Sequence, residues 1–174
     1  MEELYRKGDY VRYSCSGVCL VEDIRHDSPA GKGSPKDFYI LKPVSDPGST
    51  IFVPTASDTL VSKMARLPSQ GEVDALILST KQEDLPWIAD RKVRTANFQT
   101  IVKTCNLRDL LQMVDCIYRQ KEALTSKGKK LSASDESTLR RAESLIENEL
   151  SFILDLAGDQ VSGYIRGKLS TAEG

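Results

Sequence analysis

The apolar residues of this chain change their spacing once, near Pro68, and that change limits the fold more than any other feature. Between Tyr10 and Pro54 they come in short β-branched or aromatic runs: Tyr10-Val11-Arg12-Tyr13, Val18-Cys19-Leu20-Val21, Phe38-Tyr39-Ile40-Leu41 and Thr50-Ile51-Phe52-Val53. Turn residues divide them at Ser16-Gly17, Ser28-Pro29-Ala30-Gly31-Lys32-Gly33 and Asp46-Pro47-Gly48. Four short strands cannot bury both faces as a flat sheet, so they are expected to curl into a small SH3-like or Tudor-like barrel. Pro54 ends the last strand or marks an edge, because proline has no N–H to give a ladder.

Beyond Pro68 the apolar residues recur every three or four positions. Ser69 and Glu72 have capping-box spacing ahead of Val73, Leu76 and Ile77. Asp84-Leu85-Pro86 is expected to open a second helix, running from near Trp87 to about Lys103, since proline is tolerated in a first turn. Asn106 caps a third, with Leu107, Leu110, Leu111, Val114, Ile117 and Tyr118 on one face. Ser126-Lys127-Gly128-Lys129-Lys130 reads as a basic turn. Ser132 and Asp135 then begin a fourth helix, and a shorter one follows Gly158. The expected class is α+β: a small β-barrel over residues 1–66, then a compact all-helical domain over residues 67–174. A domain of ~60 residues buries only about 60% of its unfolded surface, so the first is close to the lower size limit.

Composition narrows the setting. With 40% hydrophobic and 28% charged residues, no stretch approaches the ~18 apolar residues of a membrane span. The opening Met1-Glu2-Glu3-Leu4-Tyr5-Arg6 has neither the basic start nor the apolar core of a secretory signal, so a cytoplasmic protein is expected. The net charge of −1 hides a pattern: residues 81–130 carry eleven basic against six acidic side chains, and residues 131–174 carry four against eight. A positive middle is compatible with a phosphate-binding face, and equally with solvated helices that sample charge unevenly.

Catalytic chemistry is hard to find. There is one histidine, His26, and no nucleophile elbow, phosphate-binding loop or dinucleotide fingerprint. Gly31-Lys32-Gly33-Ser34 lacks the leading glycine of a phosphate loop and reads as a hairpin. Cys15, Cys19 and His26 are the right residue types for zinc, but their spacing is poor, and Cys15 and Cys19 read as residues around a turn. Neither a catalytic residue nor a metal, cofactor or small-molecule substrate is expected.

Taken in order, the short motifs resemble a known pattern. Lys7-Gly8-Asp9-Tyr10-Val11-Arg12-Tyr13, Gly17-Val18 and Val21-Glu22-Asp23-Ile24 are similar to the start of the CarD/CdnL family of transcription regulators, a start shared with transcription-repair coupling factor. Phe38-Tyr39-Ile40-Leu41-Lys42 and Ile51-Phe52-Val53-Pro54 resemble its later strands. In the second half, Pro86-Trp87, Asp90-Arg91, Arg94, Phe98, Leu107-Arg108-Asp109-Leu110, Gly128-Lys129-Lys130-Leu131-Ser132 and Asp135 continue the likeness.

That resemblance implies a Tudor-like domain that binds the RNA polymerase β subunit, and a helical domain that contacts promoter DNA at the upstream edge of the melted region. It implies stabilisation of the open complex without catalysis or cofactor. The positions matching the polymerase-contacting strands are Tyr39, Ile40, Leu41, Phe52 and Pro54; about half of these must face the core, since strand residues alternate. Some family members carry arginine where Phe52 stands, so that contact is expected to be apolar here. For DNA, Trp87 is the expected wedge into the minor groove, where unstacking costs a few kcal/mol. Arg91, Arg94 and Lys92 are expected to reach flanking phosphates with little sequence choice. The alternative is a protein-only adaptor, in which the β-barrel binds a partner and the helical half makes no DNA contact.

Overall fold

Five antiparallel strands form the first half of the computed structural model, which describes residues 4–27, 36–83 and 85–173. They are β1 (Tyr10–Tyr13), β2 (Val18–Asp27), β3 (Lys36–Pro43), β4 (Ile51–Pro54) and β5 (Met64–Arg66), in the spatial order β4-β3-β2-β1-β5. The chain divides into two compact units, Met1–Leu67 and Pro68–Gly174. The class is therefore α+β, a small β unit followed by a helical one.

Strand alternation sets the core of the first unit. Val11, Cys19, Val21, Tyr39, Leu41 and Val53 project to one side and are nearly inaccessible, with Met64 and Tyr5 closing over them. Tyr5 is held there by its hydroxyl, which donates to the Met64 carbonyl at 3.0 Å, and by an edge-on contact with the Tyr39 ring. The register of β2 on β3 slips between Val21 and Asp23, the mark of a bulge that bends and twists a strand. The slip lets Val21 face Leu41 and Ile24 face Tyr39 without breaking the apolar layer.

Two elements of this unit lie outside the sequence expectation. β5 has only Met64-Ala65-Arg66, with no β-branched residue; its pairing with β1, Tyr13 opposite Met64, makes it a strand. A one-turn helix, α1 (Asp58–Val61), starts at Ser57, whose hydroxyl accepts from the Leu60 N–H. The expected turn at residues 28–33, the Gly31–Ser34 stretch and Asp84 lie outside the described residues.

The second unit contains α2 (Gln70–Ser79), α3 (Arg91–Thr104), α4 (Leu107–Thr125), α5 (Ala133–Leu154) and α6 (Gly158–Glu173). Ser69, Asp90, Asn106 and Ser132 cap the first four, each side chain accepting from the backbone N–H three residues on. Val73, Ile77, Phe98, Leu110, Met113, Ile117, Leu139, Ala142, Ile146, Leu150 and Val161 fill the space between the helices. The expected second helix is corrected at its start: α3 begins at Arg91, not near Trp87, because Asp90 provides the cap, while residues 85–90 run outside any helix. Among the described residues, no helix is long and apolar enough to cross a membrane.

Candidate functional site

Trp87 sits in that non-helical approach to α3. Its indole is half-buried against the helical core, tilted on the Phe98 ring with 6.1 Å between centroids. The guanidinium of Arg94 covers the ring, with Cζ 4.4 Å from its centroid, a cation–π contact worth about 0.5–2 kcal/mol. Its neighbours in sequence are open to solvent: Pro86, Ala89, Asp90, Arg91, Lys92 and Val93 are all exposed, Val93 by 55%. The ring is thus neither sealed nor free.

Arg94 is not placed as the sequence suggested. It is 6% exposed, and its fork faces inward. Nε donates to Asp135 Oδ1 at 3.2 Å and Nη2 to Asp135 Oδ2 at 3.0 Å, while Nη1 donates to the carbonyls of Ile88 and Ala89 at 2.9 and 3.3 Å. Asp135, itself 3% exposed, also accepts from the Ser132 hydroxyl at 2.7 Å. Nearly buried and with four of its five N–H donors so engaged, Arg94 faces inward rather than toward solvent, unlike the outward cation the sequence suggests. Trp87 and Arg91 do not share a helix, because residues 85–90 are not helical. Arg91 and Lys92 remain as the exposed cations of the first turn of α3. Lys127, Lys129 and Lys130 are exposed as well, in the turn between α4 and α5.

The strand residues divide in the same way. Tyr39 and Leu41 lie in the core layer of the sheet, 2% and 0% exposed, so their side chains are not available to a partner. Ile40 points to the opposite face and is also buried, paired in register with Phe52 on β4. Phe52 is 54% exposed and stands edge-on to Phe38, with ring centroids 6.4 Å apart. Pro54 is half-buried at the end of β4, opposite Phe38. β4 is an edge of the sheet, so one side of its backbone is not used by a neighbouring strand in the sheet. Of the five residues, Phe52 and Pro54 reach the surface of an edge strand and the other three support it.

The thiol and imidazole residues are not brought together. Cys19 and His26 lie seven residues apart along β2, about 20 Å at the rise of a strand. Burial pushes the Cys19 thiol up to about 11, so it is protonated at neutral pH and a poor metal ligand. His26 instead pairs with Asp37 across the β2–β3 ladder at 2.6 Å. Among the described residues, no group of three or more histidine, cysteine or carboxylate side chains has the arrangement of a metal site.

A groove of about 690 Å³ in the helical unit is lined by Tyr118, Arg119, Glu122, Glu143 and Arg166 among others. Tyr118 donates to Glu143 there, and burial together with that carboxylate pushes its phenol up to about 12. The mixed charge of this groove does not suit a phosphate backbone.

Sequence reasoning missed Asp135 as a partner of Arg94. The two are 41 residues apart, and Asp135 announces itself only as part of a helix cap. It also passed over Val93, whose exposure follows from its place on the outer side of the first turn of α3. No curated protein matches the chain. Residues 5–65 match the family model described as the CarD-like/TRCF RID domain, and the chain accordingly carries a CarD-like domain as its N-terminal unit.

Proposed function

We propose that the protein is a CarD-like factor that interacts with RNA polymerase and steadies the melted promoter during initiation. In this reading the N-terminal sheet docks on the β subunit through the free edge of β4, where backbone pairing supplies affinity and the exposed Phe52 and Pro54 supply an apolar contact. Tyr39, Ile40 and Leu41 hold that edge in shape from the next strand. The helical unit applies Trp87 to the minor groove at the upstream edge of the bubble, where base steps are already frayed and unstacking is least unfavourable. Arg91 and Lys92 reach flanking phosphates and give position without sequence choice. No catalytic step is involved; CarD-like domains are interaction modules.

The observation that carries the DNA half is the lone indole, half-exposed and braced by Arg94, with two exposed cations following four and five residues later at the start of α3. A gel-shift and an initiation assay test it together. Trp87→Ala should shorten the lifetime of the open complex while the helical content stays native. With two phosphate contacts, log affinity should fall with log salt at a slope of about −2. Phe52→Glu should release the protein from polymerase without affecting binding to DNA alone. An unchanged open complex with Trp87→Ala refutes the wedge.

The withdrawal of Arg94 leaves a smaller cationic set than the sequence suggested, and this favours a second reading: a protein-only adaptor whose helical unit never touches DNA. A salt slope near zero with retained polymerase binding identifies that case.

A further inference from the structure

A wedge is useful only if its angle is set before DNA arrives, because ordering a side chain and its loop on binding weakens affinity. Residues 85–90 carry Trp87 outside any helix, so the helical ladder does not fix it. Phe98 backs the ring from the helical core, and Arg94 makes two kinds of contact with this segment at once. Its Cζ lies over the indole, 4.4 Å from the ring centroid, and Nη1 donates to the carbonyls of Ile88 and Ala89, the two residues after Trp87. The same guanidinium is gripped by both oxygens of Asp135 in the first turn of α5, and Asp135 is in turn held by the Ser132 hydroxyl.

A chain of contacts therefore runs from the cap of α5, through Asp135 and Arg94, to the indole and its backbone. A buried ion pair is weak evidence for stability, since a well-packed apolar pair of similar volume is often as good. Its geometry is the distinctive part. A planar guanidinium can stack and fork simultaneously, which a lysine ammonium cannot. Resting on the DNA reading above, we propose that Arg94 and Asp135 are positioning residues that hold the Trp87 indole in its DNA-ready orientation, with Ser132 orienting the Asp135 carboxylate.

The experiment uses the full chain, in which Trp87 is the only tryptophan, so its fluorescence reports the indole alone. Acrylamide quenching and fluorescence anisotropy are measured without DNA, and affinity is measured on a forked promoter duplex. The variants are Trp87→Ala, Arg94→Lys, Asp135→Asn and Ser132→Ala, with the first three combined pairwise. Arg94→Lys and Asp135→Asn should make the indole more mobile and more easily quenched. Each should weaken DNA binding about tenfold, and that loss should disappear in the Trp87→Ala background, as coupling through one residue requires. Ser132→Ala should act in the same direction more weakly.

The outcomes separate cleanly. If Trp87→Ala binds as wild type, the DNA reading itself fails. If Trp87→Ala binds weakly but Arg94→Lys weakens binding as much again on top of it, Arg94 acts on DNA directly and the positioning role is overturned. If Arg94→Lys leaves both quenching and affinity unchanged, it is overturned as well. Should Asp135→Asn lose its helical signal, Arg94→Lys and Ser132→Ala decide alone.

Discussion

Removing the carboxylate of Asp135 should destabilise the helical unit by about 3–5 kcal/mol, because it strands a buried guanidinium. The structure supports the upper half of that range. Asp135→Ala deletes two charge-assisted hydrogen bonds, at 3.2 and 3.0 Å, and the acceptor of the Ser132 hydroxyl. Arg94, 6% exposed, would retain the Ile88 and Ala89 carbonyls but no counter-charge. With a urea slope of about 1.5 kcal/mol/M, a loss of about 4 kcal/mol moves the midpoint down by between 2 and 3 M. Urea titration followed by Trp87 emission reports on this unit selectively, and helical circular dichroism checks that both signals move together. Two features distinguish a buried pair from a solvated one. The loss should persist at high salt, because buried charges are poorly screened. The double variant Arg94→Met with Asp135→Leu should lose less than Asp135→Ala alone, because it leaves no charge behind. A single-variant loss under about 1 kcal/mol at unchanged slope, or one that collapses in salt, would refute the account of this pair.

Two further outcomes follow from local chemistry. Gly128 has φ +70°, and its N–H and that of Lys129 close the end of α4 on the carbonyls of Thr125 and Leu124, a Schellman arrangement. A Cβ there would meet nothing within 4 Å, so Gly128→Ala should lower stability by about 1 kcal/mol through backbone strain alone, measured by thermal melting. Glu147 is held above the ordinary glutamate range by burial first, then by Glu143 and Asp159. A carboxyl raised on folding stabilises the fold while it is protonated, and that contribution is lost as pH rises through its folded value. Glu147→Gln should therefore melt above wild type at neutral pH, and the difference should shrink as pH falls below the ordinary glutamate range.

Local chemistry made much of this molecule legible from its residues. The caps at Ser69, Asn106 and Ser132 follow from side-chain chemistry, and the structure has them where the sequence suggests; in α4 the expected Leu107, Leu110, Leu111 and Ile117 are buried, joined by Met113 and Cys116, while Tyr118 is exposed. The strands containing Val11, Val18, Tyr39 and Val53 are equally evident, because β-branched and aromatic alternation is a local property. The class, a β unit followed by helices, follows from these signals. The start of α3 was read too early because proline in a first turn and a cap at Asp90 are both permitted, and sequence offers no way to rank them.

What the sequence by itself determined is the kind of element at each position and the presence of a lone tryptophan beside cations. Only the tertiary structure decided which of those cations is exposed and which is buried. Arg91 and Arg94 look equivalent in a linear reading, three residues apart on one helix. Arg94 turns inward because Asp135, 41 residues away, meets it in a water-poor space where an unpaired charge cannot remain. The same holds for Met64-Ala65-Arg66, which becomes a strand only when β1 offers an edge to pair with. Pairings between distant segments are set by packing, and packing is a property of the folded chain as a whole.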